Sequence, residues 1–123
     1  MEIQIKKLLD VYGKAWVDRD SDLITTIFTE DATYDDPHEP INIGKQAIKK
    51  YWQEKVVKGQ SDIKFNLQNI WIDKETVIAE WQAEFTDVVR QIRIKMKEVG
   101  IFTYRNGKFS SLREYYDAKK FPI

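Results

Sequence analysis

Residues 28–39 read Phe28-Thr-Glu-Asp-Ala-Thr-Tyr-Asp-Asp-Pro-His-Glu39, and the rest of the chain is organised around this stretch. Phe28 closes an apolar helical run, and Thr29-Glu30-Asp31 reads as a turn. Ala32 to Asp36 follows as a short strand, which Pro37 stops because it has no backbone donor. Strand alternation puts Tyr34 and Asp36 on one face and Thr33 and Asp35 on the other. With the Tyr34 face turned inward, Asp36 becomes a carboxylate in apolar surroundings. Desolvation there raises its pKa toward working pH, which is what a general base needs. The competing reading is an aspartate that only holds the following loop by hydrogen bonds.

Upstream, Met1 to Arg19 reads as one helix. Ile5, Leu8, Leu9, Tyr12 and Trp16 recur at helical spacing and form its apolar stripe. Lys6 with Asp10, and Asp10 with Lys14, are spaced as i,i+4 pairs on the other side. Asp20 or Ser21 caps a second, shorter helix whose Leu23, Ile24, Ile27 and Phe28 face inward.

Downstream, a loop from His38 to Ile43 leads to Gly44, which starts a third helix. Ala47, Ile48, Tyr51, Trp52 and Val56 make its stripe, and Gly59 stops it. The period then changes to two. Ile63, Phe65 and Leu67 alternate with polar residues, and the parity moves at Ile70 and Ile72, which predicts a β-bulge near Asn69. Val77, Ala79, Trp81, Ala83 and Phe85 share one face of the next strand. Asp87 to Arg90 is a turn, and Ile92, Ile94 and Met96 begin another strand. With Val88 and Val89 as the turn pair, Glu84 falls opposite Arg93 and Glu80 opposite Lys97; a longer loop is the alternative. Glu98 then shares the inner face with Met96, Gly100, Phe102 and Tyr104, and an inward carboxylate needs a partner or a cavity. Asn106-Gly107 marks a last hairpin. A two-residue turn puts Phe109, Ser111, Arg113 and Tyr115 inside; a three-residue loop puts Ser110, Leu112, Glu114 and Tyr116 there instead. Helices first and a long antiparallel sheet after them make an α+β domain with the helices on one sheet face.

The 123 residues suit one domain spanning 1–123, large enough to bury roughly two-thirds of its unfolded surface. Twenty Lys and Arg balance twenty Asp and Glu, so nothing in the charge favours nucleic acid or an anionic membrane as partner. The absence of cysteine excludes disulfides, a catalytic thiol and a cysteine-based zinc site. No stretch approaches membrane-spanning length and no signal-like segment is seen, so a soluble cytoplasmic protein is expected.

Taken together, Tyr12-Gly-Lys-Ala-Trp16, Asp20-x-Asp22, Phe28-x-x-Asp31-Ala-Thr-x-x-Asp36-Pro37, Gly44-x-x-Ala47-Ile48 and Asn106-Gly107-Lys108 resemble the nuclear-transport-factor-2-like (NTF2-like) superfamily, in particular its SnoaL-like members. The resemblance covers essentially the whole chain. It implies a cone: a strongly bent antiparallel sheet wrapped around three N-terminal helices, with a pocket at the wide end. It also implies a homodimer through the sheet face. From Tyr12 to Pro37 the chain is similar, without a gap, to the steroid Δ-isomerases of that fold. By that resemblance Asp36 stands at the position of the proton-moving aspartate and Tyr12 at that of the oxyanion-binding tyrosine. Their further aspartic acid falls at or next to Gly100, which has no side chain; Glu98 lies one pleat away on the same inferred face.

Asp36 and Tyr12 are therefore the expected catalytic pair, a carboxylate base and a phenol that holds a developing oxyanion. The arrangement in ketosteroid isomerase is a known worked case of such chemistry, in a relative rather than in this chain. The expected ligand is a small apolar carbonyl compound, and the expected reaction is a proton transfer with no cofactor, such as isomerisation, cyclisation or dehydration; a non-catalytic binding module is the alternative. Trp16, Tyr34, Trp52, Phe65, Trp81 and Phe85 supply apolar wall, as do Met96, Phe102 and Tyr116, although the same side chains also fill a core. Glu98 and either Arg113 or Glu114 are polar anchors. His38, the only histidine, stands at the expected mouth as a proton shuttle or a solvated loop residue. Asp35, Asp36, His38 and Glu39 crowd one short segment without a compact ligand spacing, so no metal site is expected.

Overall fold

A computed structural model describes residues 1–123. Two helices, α1 (Glu2–Asp18) and α2 (Ser21–Thr25), open the chain; the third, α3 (Lys45–Trp52), follows the first two strands and runs into a π-helical turn at Gln53–Val57. The strands are β1 (Phe28–Asp35), β2 (Asn42–Ile43), β3 (Gln60–Asp73), β4 (Thr76–Asp87), β5 (Ile92–Arg105) and β6 (Lys108–Pro122). They form one curled sheet in the order β2-β1-β6-β5-β4-β3, with the helices packed in its hollow. All neighbours are antiparallel except β1 and β6, which run parallel. The expected all-antiparallel sheet thus carries one parallel pair, reached through a long crossover.

The stripe on α1 packs as its spacing dictates: Ile5, Leu9, Tyr12 and Trp16 are buried. Its surface ion pair differs from expectation. Lys14 bonds Asp18 at 2.7 Å, one turn further on than the predicted pair of Asp10 with Lys14. Asp20 is the cap of α2, accepting from the N–H groups of Asp22 and Leu23. That helix ends at Thr25, and the predicted turn at Thr29–Asp31 is instead the first part of β1. Ile27, in the turn after α2, and Phe28, the first residue of β1, are both buried, and Asp31 reaches Arg105 across the surface.

The bulge expected near Asn69 is present, as a register shift between Leu67 and Asn69. The β4–β5 hairpin has the longer loop. Asp87 pairs with Ile92, so Glu84 stands opposite Lys95 rather than Arg93, and Gln82 opposite Lys97. The Asp87 carboxylate explains the loop, accepting from the N–H groups of Val89 and Arg90. The slip is two residues, so every side chain keeps its predicted face, and Arg93 still reaches Glu84 diagonally at 2.9 Å.

The last hairpin contains both readings offered by the sequence. Arg105 pairs with Lys108 around a two-residue Asn106-Gly107 turn, whose φ values of 52° and 82° suit those residues. One extra residue at Ser110 then shifts the register. Phe109 is therefore buried before the bulge, and Leu112 and Glu114 after it, while Arg113 faces out.

Candidate functional site

A cavity of about 700 Å³ opens at the wide end of the hollow. Tyr12 and Trp16 enter it from α1, Tyr34 and Asp36 from the end of β1, and Tyr51, Trp52, Lys55 and Val56 from α3 and its π-turn. Phe85 of β4, Met96 and Glu98 of β5, and Glu114 and Tyr116 of β6 complete the wall, with His38 at the rim. Three predicted wall residues are elsewhere. Phe65, Trp81 and Phe102 pack behind Tyr12, with ring centroids 5.8, 5.1 and 6.1 Å from its ring. Trp81 and Phe102 are fully buried core, and Phe65 is half-buried against it. A second concavity, of about 450 Å³, lies on the outer sheet face and contains none of the buried carboxylates.

Asp36 is 2 % exposed and is a hydrogen-bond hub. The Tyr51 hydroxyl donates to Oδ2 at 2.5 Å and the Tyr116 hydroxyl to Oδ1 at 3.1 Å. The His38 backbone N–H donates to Oδ1 at 3.0 Å, and the Lys55 ammonium stands 3.6 Å from Oδ2. Burial pushes the Asp36 pKa up, but these donors and the Lys55 charge outweigh it and hold the carboxyl below its ordinary range. The expected raised pKa is thus reversed, because the apolar surroundings inferred from the sequence contain two phenols and an ammonium. Both phenols are correspondingly pushed up, first by burial and then by the negative charges around them.

The opposite holds deeper in the cavity. Glu98 is 3 % exposed and Glu114 is 5 % exposed, on neighbouring strands. Gly100 faces Glu114 across the β5–β6 ladder, and Glu98 faces Tyr116. Burial, and then the Glu114 carboxylate, push Glu98 well above the usual carboxylate range. Burial also raises Glu114, although hydrogen bonds from Glu98, Tyr12 and Tyr34 favour its charge. Both carboxyls are thus held above their ordinary range, and the two titrate as a pair. Tyr12 donates its hydroxyl to Glu114 Oε2 at 2.5 Å and lies 3.5 Å from the Tyr34 hydroxyl. The expected oxyanion donor is thus engaged with an acid. The Trp81 indole N–H favours the Glu98 carboxylate without closing a hydrogen bond.

No side chain stands at Gly100 itself; the carboxyl opposite it in the ladder is Glu114 of the neighbouring strand. A Cβ at Gly100 would lie 2.6 Å from the Trp81 ring and 2.8 Å from the Phe102 ring. The tryptophan thus fills the space that a side chain at this position needs.

Three participants escaped the sequence reading. Tyr51 was visible only as part of an apolar stripe, its hydroxyl unassigned. Lys55 is brought over Asp36 and Glu39 by the π-turn, which no residue pattern announced. Gln60 is 7 % exposed and accepts from the Trp16 indole N–H at 2.7 Å. No group of three or more His, Asp or Glu side chains is arranged to hold a metal ion.

The SnoaL-like domain model matches residues 9–112. The chain belongs to the SnoaL-like domain family. Solved structures share this domain's fold. An NTF2-like protein from Anabaena variabilis is 18 % identical, with a TM-score of 0.84 over 98 % of this chain and 91 % of that one. The epoxide hydrolase/cyclase-like enzyme SalBIII is 24 % identical, with a TM-score of 0.80 over 94 % of this chain and 92 % of that one. An LEH-like epoxide hydrolase of M. tuberculosis is 15 % identical, with a TM-score of 0.77 over 94 % and 84 %. No curated protein sequence matches the SnoaL-like chain significantly.

Proposed function

We propose that this SnoaL-like domain binds a small apolar molecule bearing an electrophilic oxygen, a carbonyl or an epoxide, and moves a proton on it with its own side chains. One observation carries the reading. A single cavity holds a carboxyl pushed below its ordinary range, Asp36, and two buried carboxyls pushed above theirs, Glu98 and Glu114. Groups whose surroundings push their pKa values apart make a base and an acid available at one pH. The fold shared with SalBIII and an LEH-like epoxide hydrolase is consistent with this reading and is an analogy of fold.

For a ketone, Asp36 takes the α-proton. The C–H electron pair moves into the enolate, and the oxygen takes up the proton shared by Glu98 and Glu114. Tyr12, donating to Glu114, steadies the charge left on the pair. Asp36 alone is a weak base because Tyr51 and Tyr116 already satisfy it, so most of the driving force comes from stabilising the oxygen. That saturation also favours a second reading, in which the cavity binds its ligand without turning it over.

Exchange of the α-protons of cyclohexanone in D2O tests both. The wild type should exchange them well above the buffer rate, and Asp36→Asn should lose nearly all of that excess. Saturable binding of cyclohexanone with no exchange above buffer ends the catalytic reading and leaves the binding one.

A further inference from the structure

The amide of Gln60 is anchored at one end only. Its Oε1 accepts from the Trp16 indole at 2.7 Å. An indole N–H can only donate, so the amide oxygen must face Trp16 and the NH2 group must face away. No protein group accepts from that NH2; the only other side-chain hydrogen bond to Gln60 comes from Arg19 and ends on its backbone oxygen. Yet the residue is only 7 % exposed, and it lines the cavity. Nor is its nitrogen among the sealed, partnerless atoms. The unused donors therefore open into the cavity.

The position is fixed by the fold. Gln60 is the first residue of β3, just after the π-turn, and pairs across the sheet with Asp87 at the end of β4. Its backbone oxygen is gripped by the Arg19 guanidinium at 3.2 Å, and Arg19 itself sits in the left-handed conformation that ends α1. Trp16 is held in turn by aromatic contacts to Tyr12 and Phe65. The amide is thus an oriented donor rather than a mobile surface group. Trp16, Phe85 and Ile94 are among the apolar side chains that line the same cavity. The polar groups of the acidic end, in contrast, are Asp36, Glu98 and Glu114 with their tyrosines.

We propose that Gln60 is a ligand-binding residue that donates to a hydrogen-bond acceptor oxygen of the ligand distinct from the reacting oxygen. The substrate class is then an apolar molecule with two oxygen functions: one that reacts at the acidic end and one, a carbonyl, ether or hydroxyl, that docks on the Gln60 amide. This rests on the proton-transfer reading for the first oxygen and on the Gln60 geometry for the second. A site built to donate to an oxygen discriminates against ligands that lack it, because its donors are left unpaired in a place water enters poorly.

The test is a titration of 15N-labelled protein with cyclohexanone and cyclohexane-1,4-dione, read at the Gln60 side-chain NH2 and at the backbone amides of residues 34–36, 98 and 114. The Gln60 NH2 signals are assigned by their loss in Gln60→Leu. Gln60→Glu keeps the acceptor for Trp16 while removing the donors, so it separates the loss of ligand contact from the loss of fold. Saturable shifts of the Gln60 NH2 are expected, with affinity about fivefold weaker in both variants, the worth of one ordinary hydrogen bond. Saturable shifts confined to residues 34–36, 98 and 114, with affinities unchanged in the variants, overturn the role of Gln60 and leave the proton-transfer reading standing. Shifts at Gln60 with the acidic residues silent keep the Gln60 site and remove the proton-transfer reading. No saturable shift from either ketone overturns both.

Discussion

Glu98→Gln should make the protein more stable at neutral pH, and less sensitive to pH, than the wild type. Glu98 is protonated in the fold at pH values where it is ionised in the unfolded chain, because burial and Glu114 push it far above its ordinary value of 4.5. Between 4.5 and its value in the fold, the native state binds one proton more than the unfolded state at this position. Stability then falls as pH rises, by about 1.4 kcal/mol per pH unit for one such group. The contribution is fully present below 4.5 and is lost progressively up to the folded-state value. Asp36 acts in the opposite sense and over a lower range. Its folded-state pKa is depressed, so its contribution is present above its ordinary value of 3.8 and is lost below that. Glutamine stays neutral at every pH and still donates to Glu114, as the protonated Glu98 does. The difference between wild type and variant therefore isolates the Glu98 proton. Urea unfolding of both proteins from pH 4.5 to pH 8 measures it. The wild-type midpoint should drop across this range more steeply than that of the variant, by an amount corresponding to about 1.4 kcal/mol per unit while Glu98 remains protonated. Parallel curves would refute the reasoning, because they would mean that Glu98 ionises in the fold as it does in the unfolded chain.

Two further substitutions test the two ends of the site. Tyr51→Phe removes the 2.5 Å donor from the buried Asp36 carboxylate, so it should cost about 1–3 kcal/mol in urea unfolding at pH 7 and move the acid limb of any activity profile to higher pH. An unmoved limb would mean that Asp36 does not titrate in that profile. Gly100→Ala places a methyl group 2.6 Å from the Trp81 ring, which is fully buried, so it should destabilise by about 1–3 kcal/mol; an unchanged unfolding midpoint would show that the ring yields freely.

The fold was legible because it rests on periodicity. The α1 stripe, the bulge near Asn69 and the alternation of β4 are each repeated apolar choices, and packing enforces them. The errors fall where one side chain or one loop decides. The β4–β5 loop depends on Asp87 accepting two backbone N–H groups, and that hid behind a pair of valines. Residues 29–31 look like a turn by composition, yet they lie within β1, in the irregular stretch between its β6-paired residues Phe28 and Thr33. At the site, alternation correctly put Tyr34, Asp36 and Glu98 inside, because facing is a property of the strand. The proton affinity of Asp36 was not legible. It depends on Tyr51, Lys55 and Tyr116 from two other elements, and their convergence exists only in the folded chain.

One inserted residue decides the charge at the floor of the cavity. Had β6 left the Asn106-Gly107 turn without the bulge at Ser110, Phe109 would keep its inward place and Arg113 would follow it inside. A guanidinium there would draw the proton off Glu98, since an opposite charge favours the ionised carboxyl. The bulge instead turns Glu114 inward directly across from Gly100 and sends Arg113 to the surface. Two acids then lie on adjacent strands in a space they share with Tyr12 and Tyr34, and burial first, with the Glu114 charge beside Glu98, holds both above their ordinary range. Trp81, lying over Gly100, fills the room that an acid on β5 at that position would need. The carboxyl supplied from β6 and the tryptophan supplied from β4 are therefore one arrangement: the ring can occupy that space because the acid reaches the cavity from the next strand.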